Sequence, residues 1–246
     1  MQDKVVLVTG GARRIGAAIC RRLHSDGARL VIHCNASADA AHKLADELTS
    51  QRPDSVLVVQ ADLLVPGTRD GLIPRALAGF GRLDGLVNNA SSFSPSRIGS
   101  IDEQQWSDSI ATNLQAPLFL CQAAAPALRA SSGCIVNITD IHAERPLKNY
   151  VVYSIAKAGL AALTRALALE LGPEVRVNGV APGSIIWPEH DTHFSARERE
   201  EIISRSALKR VGSPADIAAA VKYLFADAPY VTGQIIAVDG GRSITP

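Results

Sequence analysis

The chain has 246 residues, of which 47% are hydrophobic and 20% charged, with 25 basic and 24 acidic side chains. That length and composition suit one large α/β domain with a substantial core. A net charge of +1 argues against broad electrostatic binding to nucleic acid or an anionic membrane, while leaving room for a local cationic pocket.

The four cysteines, Cys20, Cys34, Cys121 and Cys134, form no CxxC pair and have no nearby histidines to complete a zinc pattern, so no metal site is expected. Cys20, Cys121 and Cys134 lie in apolar segments and read as buried packing residues, which fits a reducing cytosol. The opening MQDKVVLVTGG runs straight into a strand without a signal-peptide pattern. No stretch reads as an uninterrupted apolar span, so a cytoplasmic protein is expected.

In chain order, strand-like and helix-like segments alternate as repeated βα units. Lys4–Thr9 is a continuous apolar strand; Ile15–Ser25 is helical and stopped by Gly27. Arg29–Cys34 is the second strand, and Asp39–Ser50 an amphipathic helix ended near Pro53. Ser55–Gln60 is the third strand. A weaker helix spans Gly67–Phe80, with Pro74 near its start or interrupting it. Gly85–Asn88 is the fourth strand, followed by a polar loop, Ser91–Ser100, that carries Phe93. Asp102–Arg129 is a long helical pattern that Pro117 should kink. Gly133–Thr139 is the fifth strand, and an Ala/Leu-rich helix runs from Val152 to Leu171. Glu174–Val180 is the sixth strand, Ser184–Ser195 is irregular, and Ala196–Ser204 is a short charged helix. Ser213-Pro214-x-Asp216 is a helix start, with that helix reaching about Phe225. Gln234–Val238 is the seventh strand, closed by Asp239-Gly240-Gly241. The expected fold is a single doubly wound domain over residues 1–246, a seven-stranded, mostly parallel sheet with helices on both faces.

Two places carry chemistry. The first is the turn Thr9-Gly10-Gly11-Ala12-Arg13-Arg14-Ile15-Gly16, which joins the first strand to the first helix. Glycines allow a tight turn there, and a helix N-terminus holds phosphate through its free N–H groups. Cations at a helix N-terminus are unfavourable by about 0.3–1 kcal/mol each, so Arg13 and Arg14 make sense with an anion between them and the helix. At the end of the second strand, His33-Cys34-Asn35-Ala36-Ser37 has no acid to meet a ribose 2′-OH. Donors at His33, Asn35 and Ser37, with Arg13 nearby, suit a 2′-phosphate, and so NADP(H) over NAD(H). Asp62, followed by Leu63, is placed to meet the adenine or to cap its own turn.

The second place is Asp140 to Lys157. Tyr153 and Lys157, four apart on a helix, share a face. Asp140, at the end of the fifth strand, can face them, giving a proton-handling set, or can cap the turn after its strand.

These landmarks, in order, resemble the short-chain dehydrogenase/reductase family across essentially the whole chain: the Thr9-Gly10…Gly16 turn, Asp62, Asn88-Asn89-Ala90, Asn113, Tyr153-x-x-x-Lys157, Pro182-Gly183 and Asp239-Gly240-Gly241. The resemblance implies a Rossmann-type fold, a cofactor site that also includes Asn89, Ala90, Ser91, Pro182, Gly183 and Ser184, and a homotetramer. Arg14 replaces the usual middle glycine, and Asp140 the usual catalytic serine, thirteen residues before Tyr153. Both departures, and Asn88-Asn89-Ala90-Ser91-Ser92-Phe93, are similar to the pteridine reductase branch. Pro188-Glu189-His190-Asp191 is similar to bacterial dihydromonapterin reductases. Where parasite pteridine reductases often carry Arg before the serine of the second-strand loop, this chain has Ala36.

That resemblance implies NADPH-dependent reduction of a pterin. Tyr153 would deliver the proton, with Asp140 and Lys157 assisting and Lys157 lowering the tyrosine pKa. Phe93 would stack on the pterin, Arg14 would bridge cofactor phosphate and substrate, and Ser91 would touch both. Asn113 would support Lys157 through water; its other reading is a kink residue serving backbone freed by Pro117. Phe93 alternatively anchors its loop. Trp187, His190 and His193 are candidate lid residues outside the catalytic set. The competing functions are a carbonyl reductase, such as a 3-oxoacyl-thioester reductase, and a non-catalytic NADP-binding sensor.

Overall fold

A computed structural model describes residues 1–185 and 195–245. Seven strands form one sheet in the order β3-β2-β1-β4-β5-β6-β7, and every pairing is parallel. They are β1 (Val5–Val8), β2 (Arg29–Cys34), β3 (Val56–Gln60), β4 (Gly85–Asn88), β5 (Cys134–Ile138), β6 (Arg176–Pro182) and β7 (Ile235–Val238). The order reverses direction between β1 and β4, which opens a crevice at the carboxyl edge of the sheet.

The helices are α1 (Arg14–Ser25), α2 (Ala38–Gln51), α3 (Pro66–Asp70), α4 (Leu72–Phe80), α5 (Glu103–Ile110), α6 (Ala116–Ser131), α7 (Val151–Leu171), α8 (Ala196–Ser204) and α9 (Pro214–Lys222). One core lies between the sheet and α1, α2 and α9, built on Val6, Val8, Ile19, Leu23, Leu30 and Ile32. The other lies under α4, α6 and α7, built on Leu7, Leu72, Leu86, Leu120, Leu128 and Ile135. Strands buried on both faces read as near-continuous apolar runs, which is why the sequence marks them.

Three expectations need correction. The segment Gly67–Phe80 is two helices, parted at Gly71, with Pro74 inside the first turn of α4, where a missing N–H costs nothing. The long pattern before Arg129 is not a kinked α-helix. A π-helical turn, Ala111–Gln115, separates α5 from α6. Pro117 has no N–H for the Asn113 carbonyl and its ring would crowd it, and the wide turn absorbs that conflict. Finally, α7 is long and apolar enough to cross a membrane by length and composition, against the expectation that no segment would be. Half of that stretch is buried in the protein, as in a core helix.

Candidate active site

The phosphate turn is built from both ends. Gly10 takes φ +59, and Gly16 is forced by contact, since a Cβ there would meet the Gly10 carbonyl oxygen at 2.2 Å. The Asn89 amide donates to the carbonyls of Thr9 (2.9 Å) and Gly10 (3.0 Å), while Thr9 Oγ1 accepts from the Asn89 and Ala90 N–H groups. Arg13 stands at the N-cap of α1 but its side chain supplies no cap, leaving the first helix N–H groups to an external acceptor. Arg14 holds φ +51, a left-handed conformation costing a non-glycine residue about 1–2 kcal/mol. Strain of that kind is kept where the side chain has a use.

His33 corrects the sequence reading. It is buried, and its Nδ1 accepts the Gly10 N–H at 3.1 Å while Nε2 lies 3.1 Å from the Ala61 carbonyl oxygen. The first bond requires a bare Nδ1 and the second a protonated Nε2, so the ring is neutral. Burial lowers its pKa, against the Ala61 carbonyl and Asp62, which raise it. With both nitrogens engaged, His33 is no phosphate donor; it braces the turn against the end of β3. Ser37 caps α2 without a side-chain cap bond and lies off the cleft wall, whereas Asn35 is on it. Asp62 accepts the Leu64 N–H at 2.9 Å, capping its own turn, and lines the cleft with Leu63.

At the other end, Asp140 follows β5 and divides its oxygens. Oδ1 accepts the His142 N–H at 2.8 Å, capping a short 3-10 turn at Ile141–Ala143. Oδ2 accepts the Tyr153 hydroxyl at 2.7 Å. Asp140 therefore caps its turn and faces Tyr153 at the same time. Tyr153 is buried; desolvation and then the Asp140 carboxylate push its phenol well above the usual value, and Ser91 opposes them. The family expectation that lysine lowers the tyrosine pKa is not met here. Lys157 Nζ instead donates to the Ile138 carbonyl at 2.9 Å and sits 5.7 Å from the Tyr153 ring centroid. Burial pushes its ammonium down to about 8, partly offset by Asp140.

Asn113 sits behind the cleft, in the π-helical turn. Its amide nitrogen donates to the Ser109 carbonyl (3.0 Å) and to the Ser92 carbonyl (3.1 Å). Its Oδ1 accepts Ser91 Oγ at 2.6 Å. Its direct partners are thus the serines of the loop and the preceding turn of α5. The same loop is pinned to the start of α7, where Ser96 Oγ accepts the Val152 N–H at 2.9 Å. Phe93 stacks on Tyr150 (centroids 4.3 Å apart, 14° between planes) and meets Tyr153 edge-on (4.8 Å, 86°). One face of the half-exposed ring is therefore a loop anchor, and the other is available.

The two ends share one cavity of about 810 Å³ along the carboxyl edge, from Asn35 and Asp62 past Gly10, Ile15 and Gly16 to Asp140 and Tyr153 and on to Pro182, Gly183 and Ser184. That is at the large end of small-molecule sites. The sequence reading missed Thr112, Thr139, His142, Leu147, Ile185, Ile202 and Arg242 on its wall. Arg242 had the clearest signal, following directly on the Asp239-Gly240-Gly241 landmark. Trp187, Pro188, Glu189, His190, Asp191 and His193 lie outside the described residues. All four cysteines are buried and free. Among the described residues, no cluster of His, Cys, Asp and Glu could hold a metal. The glycine-forced turn, uncapped helix and adjacent arginines fit the phosphates of a dinucleotide.

Residues 10–243 match a family model described as enoyl-(acyl carrier protein) reductase. The chain is 36% identical to pteridine reductase 1 of Leishmania tarentolae, covering 98% of this chain and 96% of that protein. It is 34% identical to the 3-oxoacyl-(acyl-carrier-protein) reductase FabG of Staphylococcus aureus strain N315, covering 97% of each. A crystal structure of a blue fluorescent protein from a metagenomic library, in complex with NADPH, superposes with a TM-score of 0.91 at 33% identity, covering 98% of both chains. With this coverage and the Tyr153–Lys157 geometry, the chain belongs to the short-chain dehydrogenase/reductase family of oxidoreductases.

Proposed function

We propose that this oxidoreductase reduces a pterin, adding hydride to the carbon of a ring C=N bond and a proton to its nitrogen. The cofactor is NADPH, held at the phosphate turn by Arg13, Arg14 and the N-terminus of α1, with Asn35 toward the 2′-phosphate and Asp62 toward the adenine. When bound, its nicotinamide supplies the hydride. The chain's own residues manage the proton. Burial and Asp140 keep the Tyr153 phenol protonated at neutral pH, so it is a loaded donor. Lys157, with a pKa of about 8, exchanges its proton readily near neutrality. Asp140 accepts from Tyr153 and from N–H groups of a heterocycle, which a carboxylate does well. Phe93 offers a flat face to a flat ring.

The observation that carries this reading is the 2.7 Å bond from Tyr153 to Asp140. A simple ketone needs a donor where Asp140 stands, and a carboxylate cannot donate. The pteridine reductase relative supports the same choice. A second reading, reduction of a 3-oxoacyl thioester, is favoured by the FabG relative and the family model. Purified protein is assayed for NADPH oxidation with dihydrobiopterin, dihydrofolate and an acetoacetyl thioester. Turnover of the pterins is expected; turnover of the thioester alone overturns the pterin reading. Cofactor binding with no turnover of any substrate marks a sensor.

A further inference from the structure

We propose that Arg242 anchors an anionic substituent of the substrate, so that the preferred substrate is a reducible ring carrying a carboxylate or phosphate tail. The ring itself rests on the pterin reading above; the tail does not.

Position comes first. Along the carboxyl edge the strand order is β3-β2-β1-β4-β5-β6-β7. The phosphate turn follows β1, Asp140 follows β5, and Arg242 follows β7. Neighbouring strands lie about 4.8 Å apart, so β1 and β7 each stand about 10 Å from β5, on opposite sides. A ring reacting at Asp140 and Tyr153 therefore has the cofactor phosphates on one flank and Arg242 on the other. Ile185 and Ile202 line the same cavity as Arg242, which suits an apolar linker.

Charge comes second. Among the described residues, the Arg242 guanidinium makes no hydrogen bond or ion pair. Its nearest acid is taken: Asp239 Oδ1 accepts the Gly241 N–H (2.9 Å) and Oδ2 the Ser243 N–H (2.6 Å). Two further cations, Arg205 and Arg145, press on it, and the Asp239 charge offsets them only in part. Arg205 is ion-paired with Glu201, and Arg145 donates to the Thr245 carbonyl at 2.9 Å. Arg242 is the member of this trio that is half-buried on the cavity wall with its donors uncommitted. A partly desolvated cation is costly without a counter-charge, and the planar guanidinium fork matches a carboxylate or phosphate.

The test measures affinity by calorimetry on protein loaded with NADP+, for dihydrofolate (carboxylates), dihydroneopterin monophosphate (phosphate) and dihydrobiopterin (neutral). Arg242→Gln is expected to lose about 10-fold more affinity for an anionic ligand than for the neutral one, with Arg242→Lys recovering part of the loss. The ligand with the larger differential loss identifies the tail group. Equal losses for all three, no loss, or failure of the wild-type protein to bind either anionic ligand overturns the assignment. A matching loss of NADP+ affinity also overturns it, by placing Arg242 on the cofactor. The turnover assay is separate: absence of turnover with every pterin removes the pterin reading, while the binding differential still decides Arg242.

Discussion

Replacing Asp140 by Asn removes one negative charge and turns one of its two acceptor oxygens into an NH2 group. Asn keeps an oxygen for the His142 N–H, now held at 2.8 Å, so the 3-10 turn stays capped. Losing that cap altogether, as in Asp140→Ala, would cost about 1 kcal/mol and mix stability with chemistry. The atom facing the Tyr153 hydroxyl becomes an NH2 donor, so the hydroxyl loses its charge-assisted acceptor. A hydrogen bond to a charged group contributes about 1.5–3 kcal/mol, or about one to two powers of ten in rate, and a positioned acid–base group contributes about 10²–10⁴-fold. We therefore expect kcat with dihydrobiopterin to fall about 100-fold at saturating NADPH, while NADPH affinity stays within about 3-fold. Asp140 raises both Tyr153 and Lys157, so the same variant should move both titrations downward, Tyr153 toward 10 and Lys157 below about 8. Steady-state kinetics across pH, with NADPH binding measured in parallel, give both readouts. If Asp140→Asn keeps kcat within about 3-fold, Asp140 and its charge have no part in proton transfer. Asp140→Ser should likewise lose pterin turnover and still bind NADPH.

Lys157 gives a pH-dependent test of its own burial. Its folded-state pKa of about 8 lies below the ordinary 10.5, so between these values the unfolded chain holds a proton that the folded chain has released. Stability from this group rises with pH across that window, by about 3 kcal/mol in all. Buried Cys20, Cys121 and Cys134, with thiols pushed up to about 12, act in the opposite direction above pH 9. The informative quantity is therefore the melting-temperature difference between wild type and Lys157→Met, which should shift in favour of wild type from pH 8 to 10.5; a flat difference rejects the shifted lysine. Arg14→Gly should relieve left-handed strain, leaving the melting temperature equal or up by about 2–4 °C, yet lower pterin turnover about 10-fold. Unchanged turnover would remove Arg14 from the substrate site. Arg13→Ala should weaken NADPH binding about 10-fold and NADH about 2-fold, because the lost contact is to phosphate; equal losses contradict the 2′-phosphate assignment.

Most of the sheet was legible because parallel strands buried on both faces leave apolar runs cut by turn residues. Arg29–Cys34 and Gly85–Asn88 were placed to the residue. β6 was expected two residues early, at Glu174. Val175 N–H bonds back to Leu171 at the end of α7, and pairing with β7 carries the strand on to Pro182, which tolerates that terminal position. The π-helical turn was hidden because local pattern shows only that Pro117 disturbs the helix, not how the chain absorbs it. In the site, Tyr153, Lys157 and Asp140 came from spacing alone. The role of His33 did not, because its partners at Gly10 and Ala61 are 23 and 28 residues away and local pattern does not name them. Arg242 was missed for a similar reason, since only the arrival of β7 beside β6 brings the C-terminal tail to the cleft.

The bracing of Gly10 by His33 also sets a limit on acidity. The turn keeps its shape only while Nδ1 is bare. As pH falls below 6.5 an unfolded or loosened chain takes up a proton that the folded one refuses, so acid favours release of the turn. The acid boundary of dinucleotide binding would then belong to a residue whose ring nitrogens both bind the protein's own backbone. It would be separate from the boundaries that Tyr153 and Lys157 impose on catalysis.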